Sequence, residues 1–161
     1  MEFEIDIAGK LNIEDSELSE LLTEVYVEGG FTKPEEAEVL FEPSSVRQRG
    51  ILICARDRET SALAGMVIVV PPESEARRLA EGGEAEMHLL GVKPAYRGKG
   101  LGKRLIEAAV SKARSEGYSK IILWTQRPMK AAQKLYESTA FSHISNFEKN
   151  GREFLVYDKA L

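Results

Sequence analysis

Cysteine and histidine are scarce in this chain, and each scarcity closes off a class of function. The single cysteine, Cys54, rules out an internal disulfide, so a reducing, cytoplasmic setting is expected. The two histidines, His88 and His143, lie far apart and form no zinc-ligand spacing, so no metal is expected. The longest apolar stretch, around Ala62 to Val70, falls far short of the ~20 residues that span a bilayer. Met1 to Lys10 alternates apolar with acidic residues and lacks the basic, then apolar, pattern of a secretory leader. Neither a membrane nor secretion is therefore expected. Positive charge is not in excess either: 22 Lys and Arg against 26 Asp and Glu leave a net charge of -4. An anionic ligand would need a local cluster of cations, and a nucleic-acid partner is not expected.

What remains is the composition of an ordinary globular protein, 43% hydrophobic and 30% charged over 161 residues. That length is about one domain, expected to cover residues 1–161 without an internal repeat. Phe3, Ile5 and Ile7 alternate with acids as in a half-buried strand. Leu18, Leu21, Leu22, Val25 and Tyr26 recur at helical spacing until Gly29-Gly30 ends the pattern, and Pro34 opens a second short helix. Gly50 to Arg56 and Ala62 to Val70 read as an antiparallel hairpin. Pro71-Pro72 stops it, and a charged segment from Glu73 to Gly83, read as a flap or a short helix, leads to a strand over Glu86 to Val92. Leu101 to Glu116 is the clearest helix, Ile121 to Thr125 a buried strand, Pro128 to Thr139 a helix, and Ser142 to Tyr157 two strands turning at Asn150-Gly151. The order predicts a mixed α/β sheet flanked by helices, with a parallel β-α-β unit over Glu86 to Thr125. Cys54 and Trp124 fall on apolar strands and read as core.

Between the strand ending at Val92 and the clearest helix, glycine alternates with cations: Arg97-Gly98-Lys99-Gly100-Leu101-Gly102-Lys103-Arg104. Glycines let the backbone turn tightly and approach a ligand, and a helix start presents unpaired N–H groups with about half a positive charge. That combination suits a pyrophosphate. A Walker loop is excluded, because Arg97 stands where its first glycine belongs and Arg104 follows Gly102-Lys103 where it needs Ser or Thr. A dinucleotide fingerprint is disfavoured, because Lys103 breaks the G-x-G-x-x-G begun by Gly98 and Gly100.

The remaining pattern, R-x-x-G-x-G at Arg97, Gly100 and Gly102, directly follows a strand. Together with Ala132, Leu135, Tyr136 and Phe141, which match an A-x-x-L-Y-x-x-x-G-F helix motif except for Ala140, it resembles the Gcn5-related N-acetyltransferase family. The resemblance implies a mostly antiparallel sheet splayed between residues 85–92 and 120–125, and an acyltransferase that uses acetyl-CoA. It places the pyrophosphate on the amides of Arg97, Gly98, Lys99, Gly100, Leu101 and Gly102, with Lys103 beside them. It places the pantetheine amides on the backbone of Leu90, Gly91 and Val92, with the Val92 N–H holding the oxyanion. Met129 stands where many members carry a cofactor-contacting asparagine, so Gln126 is the expected substitute.

An alkylamine of pKa ~10.4 costs about 4–5 kcal/mol to deprotonate at pH 7, so a base is expected. The resemblance points to Glu86, with Glu84 and His88 as alternatives, and matches Tyr136 to the residue that protonates or contacts the leaving sulfur. No covalent nucleophile lies near the motif, so the amine attacks directly in a ternary complex. The rival reading is a non-catalytic acyl-CoA-binding sensor. The acceptor is an amine of unknown identity, Glu28, Glu35, Glu36 and Glu38 hint at a cationic one, and a homodimer is left open.

Overall fold

The computed structural model describes residues 2–161. A seven-stranded sheet runs β1 (Phe3–Ile7), β2 (Ile51–Asp57), β3 (Leu63–Val70), β4 (Glu84–Val92), β5 (Lys120–Gln126), β7 (Arg152–Ala160) and β6 (Ser142–Lys149) in spatial order. Every neighbouring pair is antiparallel except β4 and β5. The parallel pair arises because the chain leaves β4, forms a helix and returns as β5, a connection too long for a hairpin. The β6–β7 hairpin turns at Asn150 and Gly151, both at positive φ (53° and 74°), as a two-residue turn matched to strand twist requires.

Helices cover both faces. On one lie α5 (Leu101–Ser115) and α6 (Lys130–Ser138). Leu101, Leu105 and Ile106 of α5 are at most 1% exposed and pack on Val67, Val69, Ala85 and Met87, contributing about 1.5–3 kcal/mol each. On the other face lie α1 (Ala8–Leu11), α2 (Asp15–Leu22), α3 (Pro34–Leu40) and α4 (Pro43–Gln48). There Leu18, Leu21, Leu22 and Val46 meet Cys54, Met66, Ile68 and Val70. Serving both cores, β3 is buried at every residue. Among the described residues no helix is long and apolar enough to cross a membrane.

Three local expectations are corrected. The helix read over Glu14 to Glu28 is α2, started by a reciprocal Glu14–Glu17 capping box, and its last turn loosens into a π-helix over Thr23–Val27. Two helices were not expected, α1 and α4, because four and six residues are too few to show a period; α4 starts where the Glu42 carboxylate accepts from the Ser44 and Ser45 amides. The segment 73–83 is neither helix nor loose flap. It is a loop pinned to β4, for a reason that belongs to the site.

Candidate active site

β4 and β5 stay paired only from Glu84↔Lys120 to Glu86↔Ile122, although β4 continues to Val92 and β5 to Gln126. A gap therefore opens within the sheet. The register against β3 jumps from Gly91 to His88, a bulge that seats Leu89 at φ 50°, a conformation costing a non-glycine residue about 1–2 kcal/mol. Packing of Leu89 against the α2 core offsets that cost. Beyond the bulge, the Lys93 N–H donates to Ala64 of β3 at 2.9 Å, so Val92, one residue back, turns its N–H and C=O toward the gap. Side chains reach these edges: the Tyr26 hydroxyl donates to the Leu90 carbonyl at 2.9 Å, and Arg97 Nε to the Val92 carbonyl at 3.1 Å. Gly91 is buried between them.

At one end of the gap is the glycine loop. Gly98 (φ 76°) and Gly100 (φ 78°) are left-handed, a backbone that L side chains rarely adopt, although a Cβ at either would meet nothing within 4 Å. Gly102 lets α5 and α6 pack closely: a Cβ there would stand 2.7 Å from a Leu135 methyl, which would have to turn aside. No side chain caps the start of α5. Arg97, Lys99, Lys103 and Arg104 are exposed around it, while the Leu101 side chain turns into the core. Open amides, a helix start and four cations form a donor set that fits a pyrophosphate, and the gap-facing edge of β4 fits the amides of an extended arm, as coenzyme A carries.

At the other end two tyrosines approach from opposite faces, Tyr26 from the π-helical turn and Tyr136 from α6, close enough for electrostatic influence between them. Burial pushes the Tyr136 phenol well above its ordinary value. Its hydroxyl has no partner among the described residues, yet no buried side-chain oxygen or nitrogen is left unpartnered, so the hydroxyl reaches accessible space.

Glu86 lies deep, with 0% exposure. Its Oε2 accepts the amides of Arg78 (2.8 Å), Leu79 and Ala80 (2.7 Å), and its Oε1 meets His88 Nε2 at 2.8 Å. Burial pushes this carboxyl up, but the bonds from His88 and the three amides outweigh burial and hold it below the ordinary value. This carboxylate pins the 73–83 loop. An ionised Glu86 only accepts, so His88 carries its proton on Nε2 and offers Nδ1 to Arg49 Nη1 at 3.4 Å. Burial lowers the His88 pKa, with the Glu86 bond pulling against it, so the ring is neutral near pH 7. Trp124, expected as core, stands edge-on to His88 at 4.9 Å. Glu84 sits at the strand start beside Lys120 (3.9 Å), away from the gap. The Gln126 amide donates to the Phe31 carbonyl at 2.9 Å, and Met129 accepts from Thr125 Oγ1 at 3.6 Å. Cys54 is fully buried, its thiol pushed up to about 12 by burial. Among the described residues no three His, Cys, Asp or Glu side chains group to hold a metal.

The structure thus brings Tyr136, Leu90, Val92 and the loop to one gap, with Glu86 behind His88. Three members of the site were not read from sequence: Tyr26, taken only as an apolar helical position, the Leu89 bulge, and Arg49, which no pattern marked. Tyr26 comes from the π-helical turn, Arg49 from the end of α4, and Leu89 from the register break on β4.

Comparison with known proteins agrees. Mycothiol acetyltransferase of Beutenbergia cavernae is 27% identical over 110 residues, covering 68% of this chain and 32% of that protein. Mycothiol acetyltransferase of Thermobispora bispora is 38% identical over 63 residues, 39% of this chain and 21% of that protein. The matches thus span a third or less of those relatives' length. The solved structure of a Bacillus subtilis acetyltransferase in complex with CoA superposes with a TM-score of 0.70 at 20% identity, covering 99% of each chain. The sequence profile described as the Acetyltransferase (GNAT) family matches residues 16–141, and the chain belongs to that family.

Proposed function

We propose that residues 1–161 act as one domain that transfers an acetyl group from acetyl-CoA directly to a primary amine. The observation that carries this reading is the parting of β4 from β5 after Glu86↔Ile122, beside a glycine loop whose amides are open. When bound, the cosubstrate supplies an activated acyl group on a thiol of pKa ~8.5. The amides of Gly98 to Gly102 and the cations Arg97, Lys99 and Lys103 hold the pyrophosphate, and the gap edge of Leu90, Gly91 and Val92 aligns the arm. The Val92 N–H holds negative charge developing on the acyl oxygen.

Glu86 does not meet the acceptor, since four donors already surround its carboxylate. It serves as the base's anchor: it keeps the His88 proton on Nε2, and His88 Nδ1, once Arg49 Nη1 swings off it, receives the proton from the amine directly or through water. Tyr136, whose phenol is held protonated by burial, acts by hydrogen-bonding the leaving sulfur. The lone buried Cys54 suits a reducing cytoplasm.

Thiol release with acetyl-CoA and an amine panel tests the activity; CoA binding with no turnover on any amine would leave a non-catalytic acyl-CoA-binding module instead. Tyr136→Phe should lower kcat about 100-fold with little change in acetyl-CoA affinity. Unchanged turnover would remove Tyr136 from the mechanism.

A further inference from the structure

Four arginines of the described residues are partly withdrawn from solvent: Arg47, Arg49, Arg56 and Arg152. Three are ion-paired, Arg47 with Asp15 (2.9 Å), Arg56 with Glu17 (2.8 Å) and Arg152 with Glu36 (3.2 Å). Among the described residues Arg49 has no carboxylate within 4.0 Å. Its guanidinium donates to the Leu40 carbonyl at 2.8 Å and faces the neutral ring of His88 at 3.4 Å. That leaves three of its five N–H donors without a protein acceptor. Of these, Nε–H belongs to a nitrogen with no protein partner, and because no buried side-chain nitrogen is unpartnered, Nε opens on accessible space.

Arg49 is also held in place. Ser74 Oγ donates to its backbone carbonyl at 2.7 Å, so α4, the 73–83 loop and β4 converge on it. Burial works against its charge, while the nearby Tyr26 and Arg78 act on it in opposite senses. A withdrawn cation without a counter-ion is costly, and an arriving anion relieves that cost. Tyr26, whose hydroxyl donates to the Leu90 carbonyl, is near enough to Arg49 to feel its charge, so the guanidinium and the gap edge share one region.

We propose that the acceptor is an amine that also bears a carboxylate, of the amino-acid class, with the carboxylate bound by the open edge of the Arg49 guanidinium while the amine reaches the gap at Leu90–Val92. A planar guanidinium with adjacent free donors matches a carboxylate bidentately. The bound carboxylate also offsets the Arg49 charge that disfavours proton uptake by His88, so a fitting acceptor improves its own base. The acids that hinted at a cationic acceptor are elsewhere occupied or outward-facing: Glu36 pairs with Arg152, and Glu28, Glu35 and Glu38 are exposed.

This inference rests on the acetyltransferase reading, so its test has two readouts. Acetyl transfer to a panel of L-amino acids is compared with transfer to their carboxamides and to peptide amino termini, and binding of N-acetyl-L-amino acids is compared calorimetrically with binding of the matching amides. The acids should exceed the amides at least tenfold in kcat/KM and in affinity; Arg49→Gln should bring both ratios close to one, and Arg49→Lys should keep part of them. Amides or peptides used as well as the acids, or a ratio indifferent to Arg49→Gln, overturns the inference while leaving acetyl transfer standing. Absence of turnover on every amine removes the function instead, and the calorimetric ratio in the unmutated protein still decides whether Arg49 binds a carboxylate.

Discussion

The two ends of the gap are built in opposite ways. The loop end is backbone: open amides and left-handed glycines on an exposed rim, its cations free of ion pairs among the described residues. The other end is side chain: Glu86, His88, Arg49 and Trp124 form a withdrawn cluster reached from α4, β4, β5 and the 73–83 loop. A backbone cradle tolerates solvent because its charges are cheap to expose. A buried polar cluster must satisfy each donor and acceptor, so a change there disturbs folding as well as chemistry.

The sharpest way to break that contrast is Glu86→Ala, which leaves three amides and an imidazole facing a void. It should cost about 3–5 kcal/mol in chemical denaturation and release the 73–83 loop to faster amide exchange. A loss below ~1 kcal/mol would show that water replaces the carboxylate freely and that the cluster is no more coupled to folding than the loop.

At the other end, Gly100→Val should raise the KM for acetyl-CoA tenfold or more while costing only about 1–2 kcal/mol of stability, the strain of a β-branched residue at φ 78°. Stability lost without any change in KM would sever the loop from cosubstrate binding.

The smallest effect is in the pH profile. The His88 pKa is depressed in the folded protein, so above its ordinary 6.5 both folded and unfolded chains carry a neutral ring, and stability falls as pH drops from 6.5 through the folded value. One proton gives a slope of at most about 1.4 kcal/mol per pH unit. Glu86, also depressed, adds its loss only below its ordinary 4.5. His88→Asn should flatten the stability profile between pH 6.5 and 5, read by denaturant midpoints; an unchanged slope would mean that the ring titrates as though exposed.

Legibility in the sequence follows the same divide. The alternation of Phe3, Ile5 and Ile7, the apolar stripe from Leu101 to Ala113 and the Asn150-Gly151 turn report local periods and local φ preferences, so strands, α5 and the hairpin were readable. The loop was readable because Gly98, Gly100 and Gly102 act within a few residues of one another. Glu86 was recognised as an acid at a strand start, but that its carboxylate would be enclosed depends on Arg78, Leu79 and Ala80 folding back over it. Gln126 was available by position, yet Phe31, 95 residues away, holds its amide. Arg49 had no local signal, since an unpaired cation is defined by the carboxylates that do not come near it.

The family, the order of elements and the glycine loop were thus legible along the chain, because a β-α-β unit with a glycine turn is a contiguous stretch whose chemistry lies in its own backbone. Which side chains gather beside β4 was decided by packing, because α4, the π-helical turn and the 73–83 loop meet β4 from distant parts of the sequence. Their pairing encloses the Glu86 carboxylate, fixes the His88 proton on Nε2 and leaves Arg49 without an ion-paired carboxylate among the described residues.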